Sequence, residues 1–227
     1  MRDSLKSKEY FDEYILKMLE GIKRFEEGIA NGKYLEDKIL LVKDYILQKK
    51  IGIIIAKYSK GDSIQEIKQE FEASLDLFCE AWDDSVYESN IIFASLAYLL
   101  NLSDDKLNII TNRLKESETY DSLLDFILVG NKSEFDSSKI AFPRPYKKLI
   151  KSINDEDREA FLKYLRGWYK GSIDSAWYGT HELVNKYQYY GYWCFEAGAI
   201  AKRLGLDDKD LQNEQYYPYD LVHYIDE

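Results

Sequence analysis

Residues equipped for chemistry are sparse in this chain. It has two histidines, His181 and His223, and neither stands in an H-E-x-x-H or other metal-ligating spacing. His181-Glu182 is only a fragment of such a motif, so zinc hydrolysis is not expected. No Gly-rich phosphate cradle, G-x-S-x-G elbow or Cys/His nucleophile pair occurs. Carboxylates can hold metals between helices, but the E-x-x-H pair of a di-iron site is missing. Cys79 and Cys194 sit in apolar-periodic runs without C-x-x-C spacing, which suits reduced core thiols. One group is out of place. Glu196 follows Tyr192 by four and Trp193 by three and precedes Ile200 by four, which puts a carboxylate on an apolar-aromatic helix face. It needs a partner there: a tyrosine hydroxyl, His181 or a nearby base if its role is structural, a metal or substrate if it is not. The residues point to a protein that is not an enzyme, carries no cofactor and no metal, and acts by binding another macromolecule.

Charge indicates what kind. Lys and Arg number 31 against 41 Asp and Glu, a formal charge of −10, which argues against nucleic acid or an anionic membrane as partner and favours a cationic one. The excess is local: residues 62 to 105 hold eleven acids against one base, Lys68. On a helical wheel, Ile64, Ile67, Phe71, Leu75, Phe78, Cys79 and Trp82 form an apolar face. Asp62, Glu66, Glu70, Glu72, Asp76, Glu80, Asp83 and Asp84 form an arc opposite. Like charges at i,i+4 oppose a helix by roughly 0.2 to 0.5 kcal/mol each, so the arc does not serve stability. It reads either as a solvated face kept for solubility or as a docking face for a basic protein. Glu66, Glu70, Asp76, Glu80, Asp83 and Asp84 are the expected contacts, with a second acidic tip at Asp207, Asp208 and Asp210. Lysines from neighbouring helices pairing with these carboxylates would remove that surface.

The elements that must position these residues are helical. Leu, Ile, Lys, Glu and Ala dominate, with three prolines and twelve glycines, and apolar residues recur at three and four spacing. The expected fold is all-α, a multi-helix bundle of antiparallel hairpins. Helices are expected near 7–30, 34–58, 63–82 with Asp62 as N-cap, 86–101, 104–116, 119–129, 155–169, 172–187, 190–204 and 208–213. Two prolines fall between 130 and 145, so the domains read as 1–130, a linker at 131–150, and 151–227. Leu100-Asn101-Leu102-Ser103-Asp104 with Leu107 recurs as Leu204-Gly205-Leu206-Asp207-Asp208 with Leu211, which suggests two related halves or a coincidence of helix-end signals. The N-terminus has no apolar leader and no run is apolar enough for a membrane, so the expected location is the cytoplasm. Twenty tyrosines and four tryptophans suit helix packing with polar tips at the surface, and some suit an interface.

The segment from Tyr189 to Ala201, with Tyr190, Gly191, Tyr192, Trp193 and Glu196, resembles the signature helix of the PoNi immunity proteins. Leu206-Asp207-Asp208 and Tyr217-Pro218-Tyr219-Asp220-Leu221 match the aspartate-capped helix and tail that follow it in that family. Trp177 to His181 fits the helix upstream, and Tyr10-Phe11 with Tyr14 fits the N-terminal domain. Gly198 departs from the alanine more usual there. The resemblance implies neutralisation, by direct binding, of a PoNe toxin, a DNase of the PD-(D/E)xK class often delivered by type VI secretion. A DNase presents a positive groove to phosphate, and an acidic inhibitor suits it. The runner-up is a helical scaffold or adaptor with no toxin partner; an enzyme using Glu196, His181 and a metal is a third class.

Overall fold

The computed structural model describes residues 1–83, 85–117, 119–184 and 186–226. Among these, the chain forms eleven α-helices and no strand, an all-α protein. No described helix is long and apolar enough to cross a membrane. The chain divides into two compact units, Met1–Asp83 with Ala176–Gly191, and Asp84–Ser175 with Tyr192–Glu227.

The first unit is built on a helical hairpin. In α1 (Lys8–Ala30), Ser7 Oγ accepts from the Tyr10 N–H at 3.3 Å, and Phe11, Tyr14, Ile15 and Ile22 are buried along one stripe. The stripe faces α2 (Ile39–Lys60), which buries Leu47 and a run from Ile51 to Ala56 and ends at Gly61 with φ +98°. The hairpin closes tightly because Gly52 has no side chain: a Cβ there would overlap the Tyr14 hydroxyl. The helix expected over 63–82 is two, α3 (Ile64–Glu72) and α4 (Leu75–Ala81). Ser74 divides them, its Oγ donating to the Phe71 carbonyl at 2.6 Å and so competing with helix continuation. Ser63, not Asp62, takes the N-cap position. Cys79, expected in the core, is exposed, because the break turns it off the buried stripe of Ile67, Phe71, Leu75 and Phe78. The N-terminal strap is tied down as well: Arg2 and Asp3 N–H groups both reach the Ser59 carbonyl at 3.0 Å.

In the second unit, α5 (Tyr87–Leu99) is buried almost all round, with Ile91, Phe93, Leu96 and Leu99 sealed from solvent. Around it come α6 (Asp104–Lys115), α7 (Ser122–Leu128), α8 (Pro143–Asp155), α9 (Arg158–Gly171), α10 (Phe195–Leu204) and the single turn α11 (Tyr219–Val222). Asp121 caps α7 through the Leu123 and Leu124 N–H groups at 2.9 and 3.0 Å. The stretch expected as a linker holds two 3-10 turns and the start of α8, all within this unit. Pro143 sits in the first turn of α8, where a missing N–H is not needed. Among the described residues of 172–187 no α-helix forms; Gly179 turns left-handed at φ +72° and Thr180–Glu182 makes a 3-10 turn. The helix expected from 190 begins at Phe195, because Gly191 takes φ +117°, which helical backbone cannot hold.

Candidate docking surface

The acidic arc survives in part. With its helix broken at Ala73 and Ser74, its members no longer share one continuous wheel. Lysines of α2 answer two of them, Lys57 pairing with Glu70 and Lys43 with Glu80. Lys60 lies 3.0 Å from Asp62 and 2.9 Å from Asp12. Glu66 and Asp76 are exposed and have no ion pair among the described residues. Asp83 is exposed and its N–H donates to Asp44 Oδ1 at 3.2 Å, a carboxyl whose pKa burial pushes up. Asp84, also expected in the arc, lies outside the described residues. The pairs to Glu70 and Glu80 are half-exposed, and such pairs are worth about 0 to 1 kcal/mol. They cancel charge as seen from a distance, yet a closer-fitting cation from a partner can replace them.

The second acidic tip is corrected. Asp208 is buried, with the Tyr217 hydroxyl donating to Oδ2 at 2.6 Å and His223 Nε2 2.9 Å from Oδ1. A carboxylate so enclosed cannot meet a partner, and its work is to fasten the C-terminal tail. Asp207 stays exposed, and Asp210 is paired with Arg158.

The tyrosine-rich motif is architecture in both units. In the first, the Tyr189 hydroxyl donates to Asp3, the Tyr10 hydroxyl donates to the Tyr189 carbonyl at 3.0 Å, and Ser59 Oγ donates to the Tyr190 carbonyl at 2.8 Å. Trp177 is half-buried, its carbonyl accepting from Thr180 Oγ1 at 2.8 Å, and the His181 ring lies 6.1 Å from the Tyr189 ring. Trp193 is half-buried as well. In the second unit, Tyr192 packs 5.0 Å from the Tyr169 ring. Glu196 Oε1 accepts from the Tyr164 hydroxyl at 2.7 Å, from Trp168 Nε1 at 2.8 Å and from Cys194 Sγ at 3.4 Å. A tyrosine hydroxyl, rather than His181 or a base, thus fixes this carboxylate. Burial raises its pKa, opposed by the Tyr164 hydrogen bond, and burial pushes the Cys194 thiol up too. Gly198 also has a local reason: a Cβ would come within 2.6 Å of Pro218 Cγ in the tail.

No group of three or more His, Cys, Asp or Glu residues is arranged to hold a metal among the described residues. Sequence reasoning missed a cationic face on α8 and α9. Its signal, Arg144, Lys147, Lys148 and Lys151 at three and four spacing, lay mostly in the segment read as a linker.

Two family models match the chain: PoNe immunity protein (PoNi), N-terminal, over residues 2–112, and PoNe immunity proteins (PoNi), C-terminal, over residues 96–221. No curated protein and no solved structure matches it.

Proposed function

The chain belongs to the PoNe immunity protein family, and from that premise we propose that it neutralises a cognate DNase toxin by direct protein contact, in the cytoplasm, through an acidic surface that keeps DNA from the toxin's basic groove. The observation that carries the mechanism is the pair Glu66 and Asp76, exposed on α3 and α4 with no ion pair among the described residues. Acids left unanswered on an inhibitor suit a surface evolved to grip phosphate, where complementary fields speed encounter and reject wrong partners. Glu70 and Glu80 join the contact by exchanging their lysines for cations of the toxin. Asp83 extends it on the same unit, and Asp207 is a separate contact on the second.

The test is the double variant Glu66→Lys and Asp76→Lys, chosen because reversal at Glu70 or Glu80 would set lysine against Lys57 or Lys43 and disturb α2. With the nuclease domain encoded beside this gene, the association rate at low salt should fall about tenfold, and the wild-type rate should fall steeply with salt. Full protection and an unaltered rate would rule out this surface. A neighbouring gene without any nuclease domain would favour the scaffold reading instead.

A further inference from the structure

The charge of α8 and α9 runs against the rest of the chain. Between residues 139 and 170, nine bases stand against four acids, and all four acids, Asp155, Glu156, Asp157 and Glu159, lie at the turn joining the two helices. Most of the bases lie away from that turn. Arg144, Lys147 and Lys148 are exposed on the N-terminal half of α8, and Lys163 and Lys170 are exposed on α9. Lys148 Nζ lies 3.5 Å from the Lys163 carbonyl, so the two helices present their bases on one shared face. Lys163 is answered by Glu159 and Lys151 by Asp155 and Asp157, but Arg144, Lys147, Lys148 and Lys170 have no ion pair among the described residues.

Stability does not explain this placement. The N-terminal end of a helix carries partial positive charge and favours acids, and the C-terminal end favours bases. In α8 the order is inverted: no acid occupies the first turn, which holds Arg144, and no base occupies the last, which holds Asp155. Arg144, Lys147, Lys148 and Lys151 also repel one another at i,i+3 and i,i+4. Presentation, by contrast, is favoured. Arg144 stands between Pro143 and Pro145, whose rings fix the backbone, and Phe142 beside them is 47 % exposed. An arginine and an aromatic on rigid backbone are the side chains that anchor protein interfaces.

We propose that this face, centred on Phe142, Arg144, Lys147, Lys148 and Lys170, is a second docking surface, and that its occupant is a carboxylate-rich patch of the same nuclease. The inference rests on the immunity reading above. Enzymes that hydrolyse phosphodiesters with a divalent ion hold it through carboxylates, so such a partner carries acidic ground within a basic setting. An inhibitor matched to both needs acids on one surface and bases on another, and this chain has both. Nucleic acid is the poorer fit, because a chain of net charge −10 repels a polyanion beyond four local bases.

The experiment is the variant Arg144→Glu, Lys147→Glu, Lys148→Glu and Lys170→Glu in the full chain, its affinity for the neighbouring nuclease domain measured by calorimetry at low and high salt. Arg144→Glu places an acid in the first turn of α8, where the dipole favours it, and all four positions are exposed, so the thermal midpoint should hold and lost binding will not reflect unfolding. Affinity at low salt should fall about tenfold or more, and the gap should narrow at high salt. Unchanged affinity overturns the second surface while leaving the immunity reading intact; a wild-type chain that binds no nuclease sinks both. Gel retardation of a DNA duplex by the wild type and not the variant would assign the face to nucleic acid. Self-association seen in sedimentation and abolished by the variant would assign it to a second copy. Either result overturns the proposal.

Discussion

Replacing Glu196 separates a structural carboxylate from a functional one. Glu196→Ala removes the acceptor of two donors, the buried Tyr164 hydroxyl at 2.7 Å and the half-buried Trp168 Nε1 at 2.8 Å. Each unsatisfied donor costs about 1 to 3 kcal/mol, so the variant should lose roughly 2 to 5 kcal/mol of folding stability. Glu196→Gln keeps a carbonyl oxygen for both donors and should lose far less. The pair also reports the charge. Burial raises the Glu196 pKa above its ordinary 4.5, so in the window above 4.5 the folded state binds a proton that the unfolded state has released. Stability from this group is therefore complete below about 4.5 and is lost as pH rises through the higher folded pKa. Glutamine has no such dependence. Urea unfolding followed by tryptophan fluorescence at pH 5 and pH 8 should show wild type gaining on Glu196→Gln at the lower pH. A Glu196→Ala penalty under 1 kcal/mol, or a wild-type advantage that grows with pH, would refute the assignment.

Gly198→Ala tests whether the tail fixes that position. Alanine gains about 1 kcal/mol of helix propensity but sets a Cβ 2.6 Å from Pro218 Cγ, and overpacking of about 1 to 3 kcal/mol should prevail; a lowered melting temperature, recovered on adding Pro218→Ala, is the expected result. Asp208→Ala strands the Tyr217 hydroxyl and should destabilise by about 1 to 3 kcal/mol with no change in toxin association rate, which stopped-flow mixing would measure on the folded variant.

Legibility followed periodicity. The α1 and α2 hairpin was readable because its apolar spacing is long and its stops, Asn31-Gly32 and Lys60-Gly61, are strong. The fault at Ser74 was not, since a serine inside a periodic run gives no sign of whether its hydroxyl will turn back to Phe71. Residues 172–187 mislead in the same way: the tyrosine and tryptophan spacing looks helical, but Gly179 and the ties from Tyr187 to Glu13 and Tyr189 to Asp3 hold the segment open. Prolines misled in the opposite sense, because Pro143 begins a helix where a linker was expected. At the candidate surface, the acids were legible as a composition, whereas Lys43 and Lys57, which precede the arc on another helix, were invisible to a wheel drawn on one segment. Asp208 reads in the sequence as part of an exposed acidic tip and is buried because Tyr217 and His223, from the tail, close over it.

Tyrosine and acid meet in the interior. Four buried carboxylates each accept from a buried tyrosine hydroxyl: Asp3 from Tyr189, Asp121 from Tyr87, Glu196 from Tyr164 and Asp208 from Tyr217. A phenol satisfies a carboxylate without cancelling its charge, as a lysine would, and spares the interior a second ion to desolvate. Carboxylates enclosed in this way offer a partner no surface. The net charge of −10 therefore mixes two functions. All ionised acids contribute to attraction at long range, which salt screens within about 8 Å at physiological strength. On the docking proposed above, contact falls to exposed acids without an ion pair, Glu66 and Asp76 among them. An enclosed acid such as Asp208 converted to its amide should thus leave the lifetime of the complex unchanged, whereas the same change at Glu66 or Asp76 should shorten it.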